Sequence, residues 1–226
     1  MIKYIIESAN NAQKRKRDYE IFGRVTVKLN DFLPDSVSLK DVIKSIESKI
    51  PEHVLYDVDA IYIGNCKPLD DRQVDSIYVS GSILMKPNAE SNSDLFNTLV
   101  HEFAHAIEQT AKDFIYADGD VGSEFLGKRN RLYSMLKDDY KISKKQFLNI
   151  NFDQAFDDFL NKEIGYTNLG MMTSGLFLSP YGATSLREYF ANGFEHFYIE
   201  GPQTVKQLSP AVFHKIKGII RGDHIE

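Results

Sequence analysis

The sequence predicts an α+β protein. Strand-like segments dominate residues 1–91, and amphipathic helical patterns fill residues 92–226. Apolar residues make up 42% and charged residues 26% of the 226, a balance that lets one chain bury its own core. No repeat or long linker divides the chain, so a single domain over 1–226 is expected, strand-rich in 1–91 and helical in 92–226.

Taken in order, "MIKYIIESANNAQKRKRDYE" is not expected to act as a signal peptide. Its apolar run is brief, Glu7 interrupts it, and the charges follow it. The basic run Gln13 to Asp18 reads as a solvated turn or helix face. Tyr19 to Phe32 alternates around Val25, Val27 and Leu29 and predicts a strand. Leu39, Val42, Ile43, Ile46 and Ile50 share one helical face, with Ser36 or Ser38 as cap and Pro51 as terminator. Val58 to Asn65 predicts a strand ending in a Gly-Asn turn. Asp75 to Pro87 predicts one or two more, bent at Gly81. A helix follows "NAESNSD", capped by Asn92 or Ser93, with Asp94 at its positive end. Residues 118–162 read as helical and polar, Gly165 to Ser185 as irregular, and Asn168 to Phe177 within that stretch as adaptable. Leu186 to Gly201 and Ser209 to Gly222 predict two late helices, the second capped by Ser209 with Pro210 in its first turn.

Composition excludes several function classes. A net charge of -5 argues against a nucleic-acid surface. The single cysteine, Cys66, permits neither an intrachain disulfide nor a thiolate metal site. No segment approaches the roughly 20 apolar residues of a membrane span. A cytoplasmic protein is therefore expected, although the same features suit a virion component, a chain exported by a non-classical route, or a mature form that has lost its signal.

The chemistry concentrates in "FNTLVHEFAHAIEQ", where His101, Glu102 and His105 spell H-E-x-x-H. Residues four apart share a helix face, so both imidazoles can meet one metal ion, and nitrogen donors suit Zn2+. Glu102, one step round, can reach a water beside that ion. Phe96, Leu99, Val100, Phe103, Ala104 and Ile107 make the helix strongly apolar. Two histidines beside such a core are costly to desolvate without a partner, and a metal supplies one. For a third ligand, Leu186 to Tyr198 offers Glu188 near its start. Glu195 and His196 lie two turns later and read as surface or outer-shell residues. His53, His214 and His224 read as exposed or locally satisfied. Tyr181, in "LSPYGATS", is either a loop anchor or a phenol placed to steady an oxyanion.

"HEFAH" followed by "SPYGATSLREYFA" resembles the catalytic domain of anthrax lethal factor and its relatives, among them the secreted clostridial Pro-Pro endopeptidases. The resemblance covers two short blocks and implies a zincin-like metallopeptidase fold with one Zn2+. It implies His101, His105 and Glu188 as ligands, Glu102 as general base and Tyr181 as oxyanion stabiliser. Ala104 stands where those relatives carry glycine, and Asn192 where lethal factor has an acid. The stretch between His105 and Glu188 is also longer, and residues 118–162 have room for a lid, an exosite or a surface for an assembly partner. Peptide or protein substrates are expected, with their backbone added to an edge strand within Ile77 to Met85. The rival reading is a non-catalytic zincin-fold protein of a virion or toxin assembly.

Overall fold

The structure, a computed structural model, describes residues 18–224. The N-terminal stretch and the basic run, except for Asp18, lie outside the described residues. The chain divides into two compact units, Met1–Thr98 and Leu99–Glu226. The division falls inside one helix.

The first unit is built on a five-stranded sheet of order β1-β2-β3-β5-β4. The strands are β1 (Asp18–Ile21), β2 (Val25–Leu29), β3 (Ala60–Ile63), β4 (Ser76–Val79) and β5 (Ser82–Met85). β2, β3 and β5 run parallel, and β1 and β4 pair antiparallel at the two edges. The register aligns Val27 with Ile61 and Ile83, and Leu29 with Ile63 and Met85. Alternation along each strand then gathers the branched side chains on one buried face. Helix α1 (Leu39–Lys49) buries Leu39, Val42, Ile43 and Ile46 and packs against β1. The Ser38 hydroxyl caps it by accepting the Asp41 N–H. A short helix α2 (Lys67–Arg72) follows β3.

The single strand expected over Tyr19 to Phe32 is instead a hairpin. Phe22 and Gly23 both have positive φ, 54° and 62°, and the Arg24 N–H donates to Ile21 O at 3.1 Å. This two-residue turn matches the twist of its strands. A phenylalanine in its first position hid it from the usual Asn-Gly signature. Ser80 and Gly81 make the corresponding turn between β4 and β5, at the expected bend. Helix α3 (Asn92–Thr110) starts at Asn92, one of the two residues expected as its cap, so the cap falls one residue earlier, at Ser91. Ser91 accepts the Asp94 N–H at 3.1 Å, while the Asn92 side chain accepts the Ser38 N–H at 2.6 Å.

The second unit is helical. After α3 come α4 (Lys112–Tyr116), α5 (Asp120–Leu136), α6 (Lys144–Leu148), α7 (Gln154–Asp158) and π-helical turns over Phe159–Ile164. Then follow α8 (Tyr166–Met172), a 3-10 turn (Tyr181–Ala183), α9 (Leu186–Ile199), α10 (Pro202–Leu208) and α11 (Pro210–Arg221). Helix α8 occupies part of the stretch expected to be irregular. Positive-φ glycines at 165 and 175 bracket it, leaving too few residues for a period to show. Phe125 of α5 lies 5.3 Å from the Tyr189 ring of α9, at the heart of this core. Gly193 lets α9 and α11 close, because a Cβ there would stand 2.5 Å from Val212 Cγ1.

Ser209 occupies the cap position of α11 but makes no capping bond. Its hydroxyl instead accepts from Lys128 Nζ at 3.0 Å, and Leu208 O accepts from the same nitrogen at 2.6 Å. Burial lowers the Lys128 pKa to about 8, against a smaller opposing pull from Glu124. Between that value and the ordinary 10.5, the unfolded chain binds the proton more tightly, so this group's contribution to stability rises with pH. Denaturant titrations of wild type and Lys128→Met should therefore show the difference moving toward wild type from pH 8 to 10.5. A difference independent of pH would exclude the coupling.

Candidate metal centre

Helix α3 puts His101 and His105 on one face, with ring centroids 4.9 Å apart and planes at 83°. Glu188 comes from the first turn of α9. The Ser185 hydroxyl accepts the Glu188 N–H at 3.2 Å and fixes the start of that helix. In an S-x-x-E start the glutamate often folds back on the cap. Here the Glu188 carboxylate turns to the histidines instead. Oε2 lies 3.1 Å from His101 Nε2, and Oε1 lies 3.5 Å from His105 Nε2. Burial opposes ionisation of Glu188, but the two imidazoles hold its pKa well below the usual carboxylate range. The positive end of α9 acts in the same direction.

This set fits a metal ion. Donor atoms of His101, His105 and Glu188 all lie within 4.8 Å of one another. A tetrahedral shell with bonds of about 2.0–2.1 Å has edges of about 3.3 Å. The separations of 3.1 and 3.5 Å between carboxylate and imidazoles bracket that value.

Carboxylates also stand behind both histidines. Glu195 Oε2 is 3.1 Å from His101 Nδ1, and Glu108 Oε2 is 3.4 Å from His105 Nδ1. Each acid takes the Nδ1 side and leaves Nε2 toward Glu188, which fixes ring orientation. Burial by itself would depress the His101 pKa, yet Glu188 and Glu195 together raise it to about 10. Metal binding at this Nε2 must displace a proton. Glu108 is itself pinned. It accepts from Tyr116 OH at 2.6 Å and from Arg187 Nε at 2.7 Å. Those donors, with His105, lower its pKa despite burial. From sequence, Glu195 reads as a surface or outer-shell residue and Glu108 is not a candidate. The one available signal for Glu108 was its i+3 spacing from His105 on the same helix.

Glu102 is buried, at 4% exposure, one step round α3 from the two histidines. Tyr181 is 39% exposed, and its ring centroid is 6.4 Å from that of His101. Burial raises its pKa, and the carboxylates of Glu188, Asp157 and Glu102 raise it further, so the phenol keeps its proton. The Tyr166 ring meets it edge-on at 6.3 Å. Beneath the next residue, Gly182, lies buried Asn192. A Cβ on that glycine would stand 2.9 Å from Asn192 Oδ1. Asn192 thus seats the tyrosine loop by close packing.

A helix-borne H-E-x-x-H whose histidines converge on a glutamate from a second helix is the donor arrangement of a metal-dependent peptidase. Residues 73–221 match the model of the family described as glucose-regulated metallo-peptidase M90, and the chain belongs to that family. The matched span contains both sequence blocks that carry the site. The likeness to lethal factor remains one of two short motifs, and the family shown is M90. No curated protein matches the chain. Membership of a metallopeptidase family implies a bound metal ion, and the described residues hold one group able to bind it.

Glu195→Gln keeps the shape of the side chain but removes the charge behind His101. It should weaken metal affinity about 10- to 100-fold in a competitive chelator titration. An unchanged affinity would show that Glu195 does not support the site.

Proposed function

We propose that the protein is a zinc-dependent endopeptidase with a zincin-like catalytic fold. The observation that carries this reading is the convergence of His101 Nε2, His105 Nε2 and the Glu188 carboxylate, with Glu102 and Tyr181 alongside. Membership of the M90 family supports the peptidase class.

Zinc held by His101, His105 and Glu188 would acidify a water and polarise the scissile carbonyl. Glu102 accepts the proton of the attacking water and later delivers it to the leaving amine. Its burial strips competing solvent from the carboxylate. Tyr181, held protonated, donates its phenolic hydrogen to the oxyanion as charge develops there. Its partial exposure leaves that donor accessible to a substrate. Glu195 and Glu108 keep the two imidazoles in the orientation that presents Nε2.

Elemental analysis of purified protein should find one zinc per chain, and a quenched-peptide library should reveal cleavage that chelation abolishes. A hydroxamate should raise the melting temperature of the zinc-loaded protein. Absence of stoichiometric zinc would overturn the metal assignment. Stoichiometric zinc with neither cleavage nor hydroxamate binding would favour the non-catalytic alternative.

A further inference from the structure

Arg129, at 1% exposure on the core side of α5, is the largest fully buried side chain among the described residues. Every one of its hydrogen bonds ends on a backbone carbonyl. Nε donates to Phe147 O at 3.1 Å, and one terminal nitrogen donates to Gln146 O at 2.7 Å and Asn149 O at 3.4 Å. The other terminal nitrogen donates to Ala183 O and to Thr184 O, the latter at 3.2 Å. The guanidinium stacks over the Phe156 ring, 4.0 Å from its centroid. Burial lowers its pKa to about 9, which leaves it cationic at neutral pH.

These acceptors belong to two separate segments. Residues 146–149 form the last turn and end of α6, where helix carbonyls run out of partners along the chain, although Gln146 O also accepts the Asn149 N–H at 3.4 Å. Residues 183 and 184 join Tyr181 to Ser185, the cap of the helix that bears Glu188. The same two segments meet again where the Leu186 N–H donates to Ile150 O at 2.8 Å. The Thr184 N–H and hydroxyl both return to Tyr181 O, at 3.0 and 2.8 Å. A shift of the 183–184 carbonyls would thus move Tyr181 on one side and the start of α9 on the other.

We infer that Arg129 is a positioning residue that clamps the 181–188 segment to the end of α6, setting Tyr181 and Glu188 against the two histidines. The inference rests on the roles given above to Tyr181 and Glu188. It also gives the 118–162 stretch a part in building the site, through α5 and α6. A planar fork with several donors is required, because a single ammonium cannot span both segments. A plain core residue would contribute to stability alone.

The test compares Arg129→Lys and Arg129→Met with Leu132→Ala, a buried change on the same helix. Each is measured as zinc affinity by chelator competition and as kcat and KM on a cleaved peptide, at a fixed interval below its own melting temperature. Arg129→Met should weaken zinc affinity at least 10-fold and lower kcat at least 30-fold, with KM within threefold of wild type. Arg129→Lys should fall between it and wild type. Leu132→Ala should change none of these by more than threefold. Arg129 variants that match Leu132→Ala in both readouts would overturn the inference. Should Arg129→Met fail to fold, wild-type zinc affinity and kcat in Arg129→Lys would do the same. Should wild type lack peptidase activity, the proposed function fails, while the zinc-affinity comparison still decides the role of Arg129.

Discussion

Glu102→Gln should retain one zinc per chain and lose turnover by about 10³-fold, within the range that general acid–base catalysis supplies. The substitution is nearly isosteric, so the buried position loses a charge without gaining a cavity. Glutamine cannot accept the proton of the attacking water, and His101, His105 and Glu188 are untouched. The defect should therefore fall on kcat, with KM little changed. Metal analysis and steady-state kinetics on one preparation check it. A variant with full turnover would remove Glu102 from the mechanism. A variant that loses its metal would move the residue into the coordination shell.

Glu188→Ala should have the opposite signature, with metal lost first and activity as a consequence. Replacing an outer-shell partner typically costs 10- to 100-fold in metal affinity, so loss of a direct ligand should exceed about 100-fold. Zinc at 100 times its dissociation constant stabilises a folded protein by about 2.7 kcal/mol. That stabilisation should vanish from thermal scans of Glu188→Ala at the same zinc concentration, while Ser185 still caps α9. Wild-type affinity in this variant would dismiss Glu188 as a ligand. The two variants together separate holding the ion from using it.

The fold and the site differed in how far they could be read from the chain. Helix α1, the β4–β5 bend and α11 were legible because period, breaker and boundary agreed. The β1–β2 turn was not, since Phe22 adopts a positive φ that its side chain does not advertise. Helices α8 and α10 have seven residues each, about two turns, which is too short for an apolar stripe to stand out. At the site, H-E-x-x-H is a local pattern, and local patterns survive in sequence. Glu188 could be offered from its place near the start of its helix and Tyr181 only as one of two readings; the resemblance joined them to the histidines, because their approach to α3 depends on tertiary packing. Glu108 escaped for a related reason. Its role is set by Tyr116 and by Arg187, a residue distant in the chain. Arg129 looked like any basic residue on a polar helix until its carbonyl acceptors were assembled around it.

The carboxylates around the histidines have a consequence for loading. Glu102, Glu108, Glu188 and Glu195 carry four formal negative charges, against one positive charge on Arg187, when both imidazoles are neutral. Before loading, the proton held on His101 lowers that excess from three to two, and a divalent cation that displaces the proton lowers it to one. The centre is therefore an electrostatic sink for cations that weakens once filled. Capture of zinc should slow as ionic strength rises, because salt screens attraction reaching beyond about 10 Å. Under the proposed function, the residual negative charge would disfavour acidic groups close to the scissile bond and favour peptides that are neutral or basic there.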